Sequence, residues 1–176
     1  MRGDRPVIRD LPLSKLDISA LLASLSLVLA MAVGLSMSFS KLPARVPMHY
    51  GWNGLPDSWA GRSSLAVLLV IALPVNLLLL GVQRIPESYN FPVEVTPENA
   101  RDLYTVTRRM VILLQLAINL VFASILLMTV LVARGVLSGI PPWWLLLVLG
   151  MILGVIVWGT LAARRVHHAH RRVLRP

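Results

Sequence analysis

A chain of 176 residues in which 56% are hydrophobic and 14% charged, with a mean hydropathy of +0.73, is not an ordinary soluble domain, where about 45–50% apolar and about 25% charged residues are usual. Its net charge of +9 does not point to nucleic acid, because the basic residues stand at the ends of apolar runs, where lipid headgroups and topology account for them. Cysteine is absent, which excludes disulfides and thiol chemistry.

The class that remains is an integral membrane protein, and the fold expected is an all-α transmembrane four-helix bundle with an outward-facing Pro/Gly/Trp-rich loop. Residues 1–15 carry Arg2, Arg5, Arg9 and Lys15 and read as a basic cytoplasmic arm, mobile or lying at the interface. The four-helix domain is expected over 16–163. Its first apolar run, 16–39, is longer than the 7–15 residues of a signal-peptide core and reads as an uncleaved signal anchor. Ser19, Ala23, Ser26, Ala30 and Gly34 recur at helical spacing, predicting a small-residue face against a neighbouring helix.

Residues 41–62 concentrate special-purpose side chains. Pro43, Pro47 and Pro56 fix φ and remove backbone donors, while Gly51 and Gly54 permit positive φ, so the segment is expected as a tightly specified loop, neither helix nor strand. Into it the sequence places His49, Asn53 and Asp57 beside Tyr50, Trp52 and Trp59, and these six are the candidate ligand-binding residues. An imidazole changes charge near physiological pH, and aromatic rings with polar edges favour half-wet interfaces, so binding is the expected chemistry. His49 and Asp57 supply only two good metal ligands, and no nucleophile elbow, zinc signature or phosphate loop accompanies them. No metal, cofactor or catalytic residue is therefore assigned.

The pattern from Pro43 to Trp59, P-A-R-V-P-M-H-Y-G-W-N-G-L-P-D-S-W, resembles the signature of a bacterial membrane-protein family, the domain of unknown function family 1648. That domain also forms the N-terminal part of SdpI-type immunity and signalling proteins. The stretch from Val95 to Arg109 is similar to a later part of the family more loosely, and Arg62 stands where the family leads one to expect lysine. The resemblance implies a multi-pass protein of the bacterial cytoplasmic membrane, acting as a receptor or immunity factor on a peptide toxin, lipid or membrane-protein partner. A small-molecule transporter subunit, or a membrane enzyme using His49 and Asp57, is the alternative.

The second run, 65–82, contains Pro74 and Asn76; Asn76 is expected to help satisfy the backbone carbonyl that the proline frees. Residues 83–95, with Pro86 and Pro92, read as an extended linker. Thr96-Pro97-Glu98 then reads as a helix start, N-cap followed by proline at the first helical position. No breaker follows until Gly135, so one long helix is predicted, its apolar part 110–133 spanning the bilayer. Gln115 and Asn119 lie four apart on one face of it and are the predicted partners of Asn76.

A short loop leads through Trp143 and Trp144 into the fourth run, 143–163, where Gly150 and Gly154 form a close-packing motif for the bundle or for a homo-oligomer. Residues 164–176, with five arginines and three histidines, read as a basic cytoplasmic tail on anionic lipid. The arm, the stretch from Arg84 to Arg109 and the tail together hold thirteen Lys and Arg, against four in the two other loops (Lys41, Arg45, Arg62 and Arg134). The positive-inside rule then puts both termini in the cytoplasm and the signature loop outside.

Overall fold

The computed structural model describes residues 5–8 and 10–173, with only the backbone of 172 and 173. Arg2, Arg9 and Arg175 of the expected arm and tail lie outside the described residues, as does the side chain of Arg172. Four helices, α1 (Lys15–Ser38), α2 (Ala66–Val82), α3 (Ala100–Ala133) and α4 (Pro142–Val173), are each part of a segment long and apolar enough to cross a membrane. The chain is a multi-pass membrane protein with a four-helix transmembrane domain. At 1.5 Å per residue α3 and α4 extend about 50 Å, beyond the hydrocarbon core of about 30 Å. The polar sequence of 100–109 and 164–173 puts that excess at one and the same end.

Helix α3 is central and packs against each of the other three. Its start follows from local chemistry: residues 97–99 form a turn, the Ala100 amide donates to the Thr96 carbonyl at 2.9 Å, and Asn99 Oδ1 accepts from the Thr96 amide at 2.8 Å. Its end is set by Gly135 at φ +73°, where the Val136 amide reaches the Leu131 carbonyl and the Gly135 amide reaches Val132, the paired bonds of a Schellman cap. Helix α1 opens on a capping box in which Ser14 and Asp17 satisfy each other's amides.

Four expectations are corrected. The small-residue face of α1 points out of the bundle: Ser19, Ala23, Ser26, Ala30 and Gly34 are exposed, and the buried stripe is Asp17, Ala20, Ser24, Met31 and Leu35. Small residues permit close approach, but here a polar stripe with partners on α3 decides which face turns inward. Likewise Gly150 and Gly154 meet nothing within 4 Å, which removes them from the packing of this bundle. The close approach of α4 occurs at Gly159, where a Cβ would stand 2.3 Å from Met110 Sδ.

The arm and linker are not free segments. Arg101 donates to the Asp10 carbonyl, Arg108 to the Leu11 and Pro12 carbonyls, and Arg5 to the carbonyls of Glu87 and Tyr89. Leu11, Ala100, Leu103, Tyr104 and Ala163 form a core of their own, closed by Ile8, Phe91, Val93, Val95 and Val166. The tail belongs to it too, since α4 continues as helix through Val173 and His170 Nε2 lies 3.1 Å from Asp102 Oδ2. A few apolar residues spaced through the arm and linker are enough to dock both on the projecting stems of α3 and α4.

The fourth correction concerns 41–62. This segment folds into an antiparallel hairpin of β1 (Arg45–Tyr50) and β2 (Pro56–Gly61). Prolines argue against a strand inside a sheet, but in a two-stranded ribbon each strand has one unpaired edge, and the register shifts immediately after Pro47, so the missing donor costs little. The hairpin is seated on the bundle by Val46, which is fully buried among Met31, Leu35, Leu42, Leu65 and Leu126.

Candidate functional site

The hairpin carries the candidate site at its tip. Between the strands the chain turns through the bonds Gly54 amide to Gly51 carbonyl and Gly51 amide to Leu55 carbonyl. Asn53 Oδ1 accepts from the Leu55 amide at 3.0 Å, a local turn bond that makes Asn53 a shaping residue. Only Gly54 uses positive φ (+77°); a Cβ there would also meet the Ile140 carbonyl oxygen at 1.9 Å. Gly51 instead leaves room, because a Cβ on it would stand 3.2 Å from Asn53 Oδ1 and 3.4 Å from Asp57 Oδ2.

A shallow pocket of about 350 Å³ is lined by His49, Tyr50, Gly51, Trp52 and Asp57. His49 Nδ1 lies 2.6 Å from Asp57 Oδ1, a contact in which an ionised Asp57 accepts from Nδ1 and a neutral imidazole keeps Nε2 as a free acceptor. Both side chains are exposed, and Trp52 is 97% exposed. Tyr50 contributes a ring wall, while its hydroxyl donates to Thr129 Oγ1 on α3 at 3.2 Å; burial pushes its phenol above the ordinary range, so it remains a donor. Trp59 lies outside the pocket, opposite Pro47 in the sheet, and its carbonyl accepts from Arg45. Four of the six candidate residues thus come together, and Asn53 and Trp59 do not join them.

Three contacts hold the hairpin rigidly over the bundle. Besides Tyr50 with Thr129, the Ile140 amide donates to the Gly54 carbonyl at 2.8 Å, which joins the hairpin to the α3–α4 loop. Arg62 places its guanidinium 4.8 Å from the Phe39 ring and donates to the Phe39 carbonyl, combining stacking and hydrogen bonding in a way a lysine ammonium does less well.

The three intramembrane amides meet below. Asn76 and Asn119 bond reciprocally at 2.9 and 2.8 Å, and Gln115 Nε2 donates to Asn76 Oδ1 at 2.8 Å. The network extends to two residues not singled out from the sequence: Asn119 Nδ2 reaches Ser24 Oγ on α1 at 2.7 Å, and Gln83 Nε2 reaches Gln115 Oε1 at 2.8 Å. Gln83 follows Asn76 by seven residues on the same helical face, a signal that was present in the sequence. The backbone carbonyl that Asn76 Nδ2 satisfies is that of Ala72, not that of Val70, which Pro74 frees. Near the other end Arg109 clasps buried Asp17 at 2.7 Å. Ser14-x-x-Asp17 was legible as a capping box, but its partner on α3 was not.

Fold and site together define a multi-pass membrane protein with a hairpin held over one end of its bundle. Residues 25–74, from within α1 through the hairpin into α2, match the family model described as Domain of unknown function (DUF1648), and the chain carries this domain. No curated protein and no solved structure matches the chain.

Proposed function

We propose that the protein is a non-enzymatic receptor or immunity factor of the bacterial cytoplasmic membrane, binding a peptide, lipid or protein partner through the hairpin, with both termini in the cytoplasm. The observation that carries this reading is the pairing of a rigid mount with unsatisfied chemistry. Tyr50, Gly54 and Arg62 tie the hairpin down, whereas the side chains of His49 and Trp52 stand exposed at its tip. Rigid presentation lowers the ordering cost of binding, and an exposed tryptophan is the side chain most often at the centre of an interface. The match of residues 25–74 to the domain of unknown function, a domain that by sequence resemblance also forms the N-terminal part of SdpI-type proteins, supports the same class.

The His49 and Asp57 contact is also the arrangement of an oriented general base, which is what an enzymatic reading would use. The pocket lining contains no serine, cysteine, threonine or lysine to act as nucleophile, so binding is the better fit. The test is a photoreactive phenylalanine in place of Trp52, activated in native membranes. A discrete adduct that disappears with Asp57→Ala is the expected result; labelling that is diffuse and indifferent to Asp57 removes the binding hairpin.

A further inference from the structure

Donors and acceptors are out of balance at the tip of the hairpin. Of the side chains that line the pocket, His49 gives its Nδ1 proton to Asp57 Oδ1 and Tyr50 gives its hydroxyl proton to Thr129 Oγ1, so both are spent inside the fold. Acceptors are left over. Asp57 Oδ2 has no hydrogen bond among the described residues, and a neutral His49 keeps Nε2. The three heavy atoms nearest to the place a Gly51 Cβ would take are Asn53 Oδ1 at 3.2 Å, Asp57 Oδ2 at 3.4 Å and the Leu55 carbonyl oxygen at 3.9 Å. All three are oxygens. Asn53 Oδ1 and the Leu55 oxygen each hold one amide of the turn, and a carbonyl oxygen with two lone pairs then has one to spare.

The distribution of charge leads to the same place. Among the described residues Asp57 is the one carboxylate at the hairpin end; Asp10, Asp17 and the acids from Glu87 to Asp102 belong to the opposite end. Lys41, Arg45, Arg62 and Arg134 share the hairpin end with Asp57, yet none of them forms an ion pair with it. Arg45 donates to the Trp59 carbonyl and Arg62 to the Phe39 carbonyl, and the charged-group contact of Asp57 is His49. A ligand that completes this tip therefore has to bring both donors and positive charge. A primary ammonium brings three N–H groups on one charge, and Trp52, 97% exposed and lining the same pocket, adds a ring face for cation–π attraction. A calcium ion takes six to eight oxygens, more than one carboxylate and two neutral oxygens supply.

We infer that the hairpin pocket is a site for a primary ammonium group, held at Asp57 Oδ2 and covered by Trp52, with the Asn53 and Leu55 oxygens adding negative potential around it. The inference rests on the hairpin being the binding element and names the chemistry it binds. The pocket is open and about 350 Å³ in volume, so it admits the end of a larger molecule: an ethanolamine headgroup of the membrane, or the amine of a soluble ligand.

The experiment uses the full-length protein carrying fluorotryptophan, in nanodiscs of phosphatidylcholine alone, with the Trp52 fluorine resonance assigned by Trp52→Phe. Ethanolamine should shift that resonance saturably. Choline, which has the charge without the N–H donors, should need about a tenfold higher concentration, the equivalent of one charge-assisted hydrogen bond. Asp57→Asn should abolish the ethanolamine response while the other tryptophan resonances stay in place and show the fold intact. Asn53→Asp keeps an oxygen for the Leu55 amide and adds a second negative charge beside Gly51, so it should tighten ethanolamine binding roughly threefold. In discs that also contain phosphatidylethanolamine, a Trp52 resonance already at its bound position without free amine assigns the lipid headgroup as the source. A resonance identical to that in phosphatidylcholine alone assigns a soluble amine. No ethanolamine shift in phosphatidylcholine, an equal response to choline, a response that survives Asp57→Asn or one that Asn53→Asp leaves unchanged overturns the inference. A photoadduct from position 52 that still depends on Asp57, in a protein that ethanolamine does not shift, overturns the amine and leaves the binding hairpin standing; loss of both removes both.

Discussion

Ile140 donates its backbone amide to the carbonyl of Gly54 at 2.8 Å, and in doing so joins two loops that are 86 residues apart into one cap over the bundle. The approach is close enough that Gly139 is also confined, since a Cβ on it would lie 2.3 Å from the Gly54 oxygen. The hairpin is thereby coupled to α4 as well as to the helices that flank it.

Gly54→Ala is accordingly the most damaging small substitution in the hairpin. The left-handed backbone costs an alanine about 1–2 kcal/mol before any clash, and Ile140 cannot yield without moving the whole α3–α4 loop. Thermal melting in detergent should fall well below that of the unaltered protein. Gly150→Ala should leave the melting of the monomer unchanged, because nothing stands within 4 Å; a fall confined to an oligomeric fraction would assign that motif to contacts between copies.

Asn119 bonds both Asn76 and Ser24, so Asn119→Leu strands the buried Ser24 hydroxyl and takes one of two partners from each end of the Asn76 amide, which keeps Ala72 and Gln115; it should cost about 2 kcal/mol, with about 1 kcal/mol for Gln83→Leu at the edge of the network. A double-mutant cycle between positions 76 and 119, read by denaturant unfolding in mixed micelles, should give a coupling of about 1 kcal/mol. A coupling near zero would show that the amides find other partners.

Asp17 is 3% exposed and Arg109 is its charged partner. Arg109→Met should destabilise by about 3 kcal/mol, because it strands a buried carboxylate, and the second change Asp17→Asn should restore much of that loss. Recovery in the double variant, measured as melting temperature, separates the stranded charge from lost packing.

Tyr89 packs at the projecting end with its hydroxyl buried, and burial pushes its pKa up to about 12. The folded state therefore disfavours the phenolate. The stability this group contributes is complete below the ordinary phenol value of about 10 and is lost as pH rises towards the folded value. Tyr89→Phe should remove that part of the alkaline destabilisation, read as the difference in melting temperature between the two proteins across that window.

The proposed orientation predicts opposite reactivity for single cysteines at Ser58 and Ser88, both exposed positions at opposite ends of the bundle. In intact cells Ser58→Cys should react with an impermeant thiol reagent and Ser88→Cys should be protected. If the protein has the proposed receptor or immunity function, substituting His49→Ala or Asp57→Ala should abolish it while insertion persists.

What the sequence determined by itself is whatever depends on neighbours along the chain. Hydropathy marked four spanning segments, Gly135 ended α3, and the four-residue spacing put Gln115 and Asn119 on one face where they bond Asn76, directly or through it. The polar ends of α3 and α4 were visible as composition. So was the crowding of His49, Asp57 and Trp52 into one short segment. Tertiary structure decided everything that turns on a choice among distant partners. Serines on both faces of α1 are alike in the sequence, yet only Ser24 meets Asn119; three glycines of α4 are alike, yet only Gly159 meets Met110. Pro47 spoke against a strand until a two-stranded ribbon offered it an edge, and the arm looked free until the α3 arginines bound its carbonyls. Local propensity sets what each segment can be. Which face is buried, and against what, is settled by long-range hydrogen bonds and packing that no window of sequence contains.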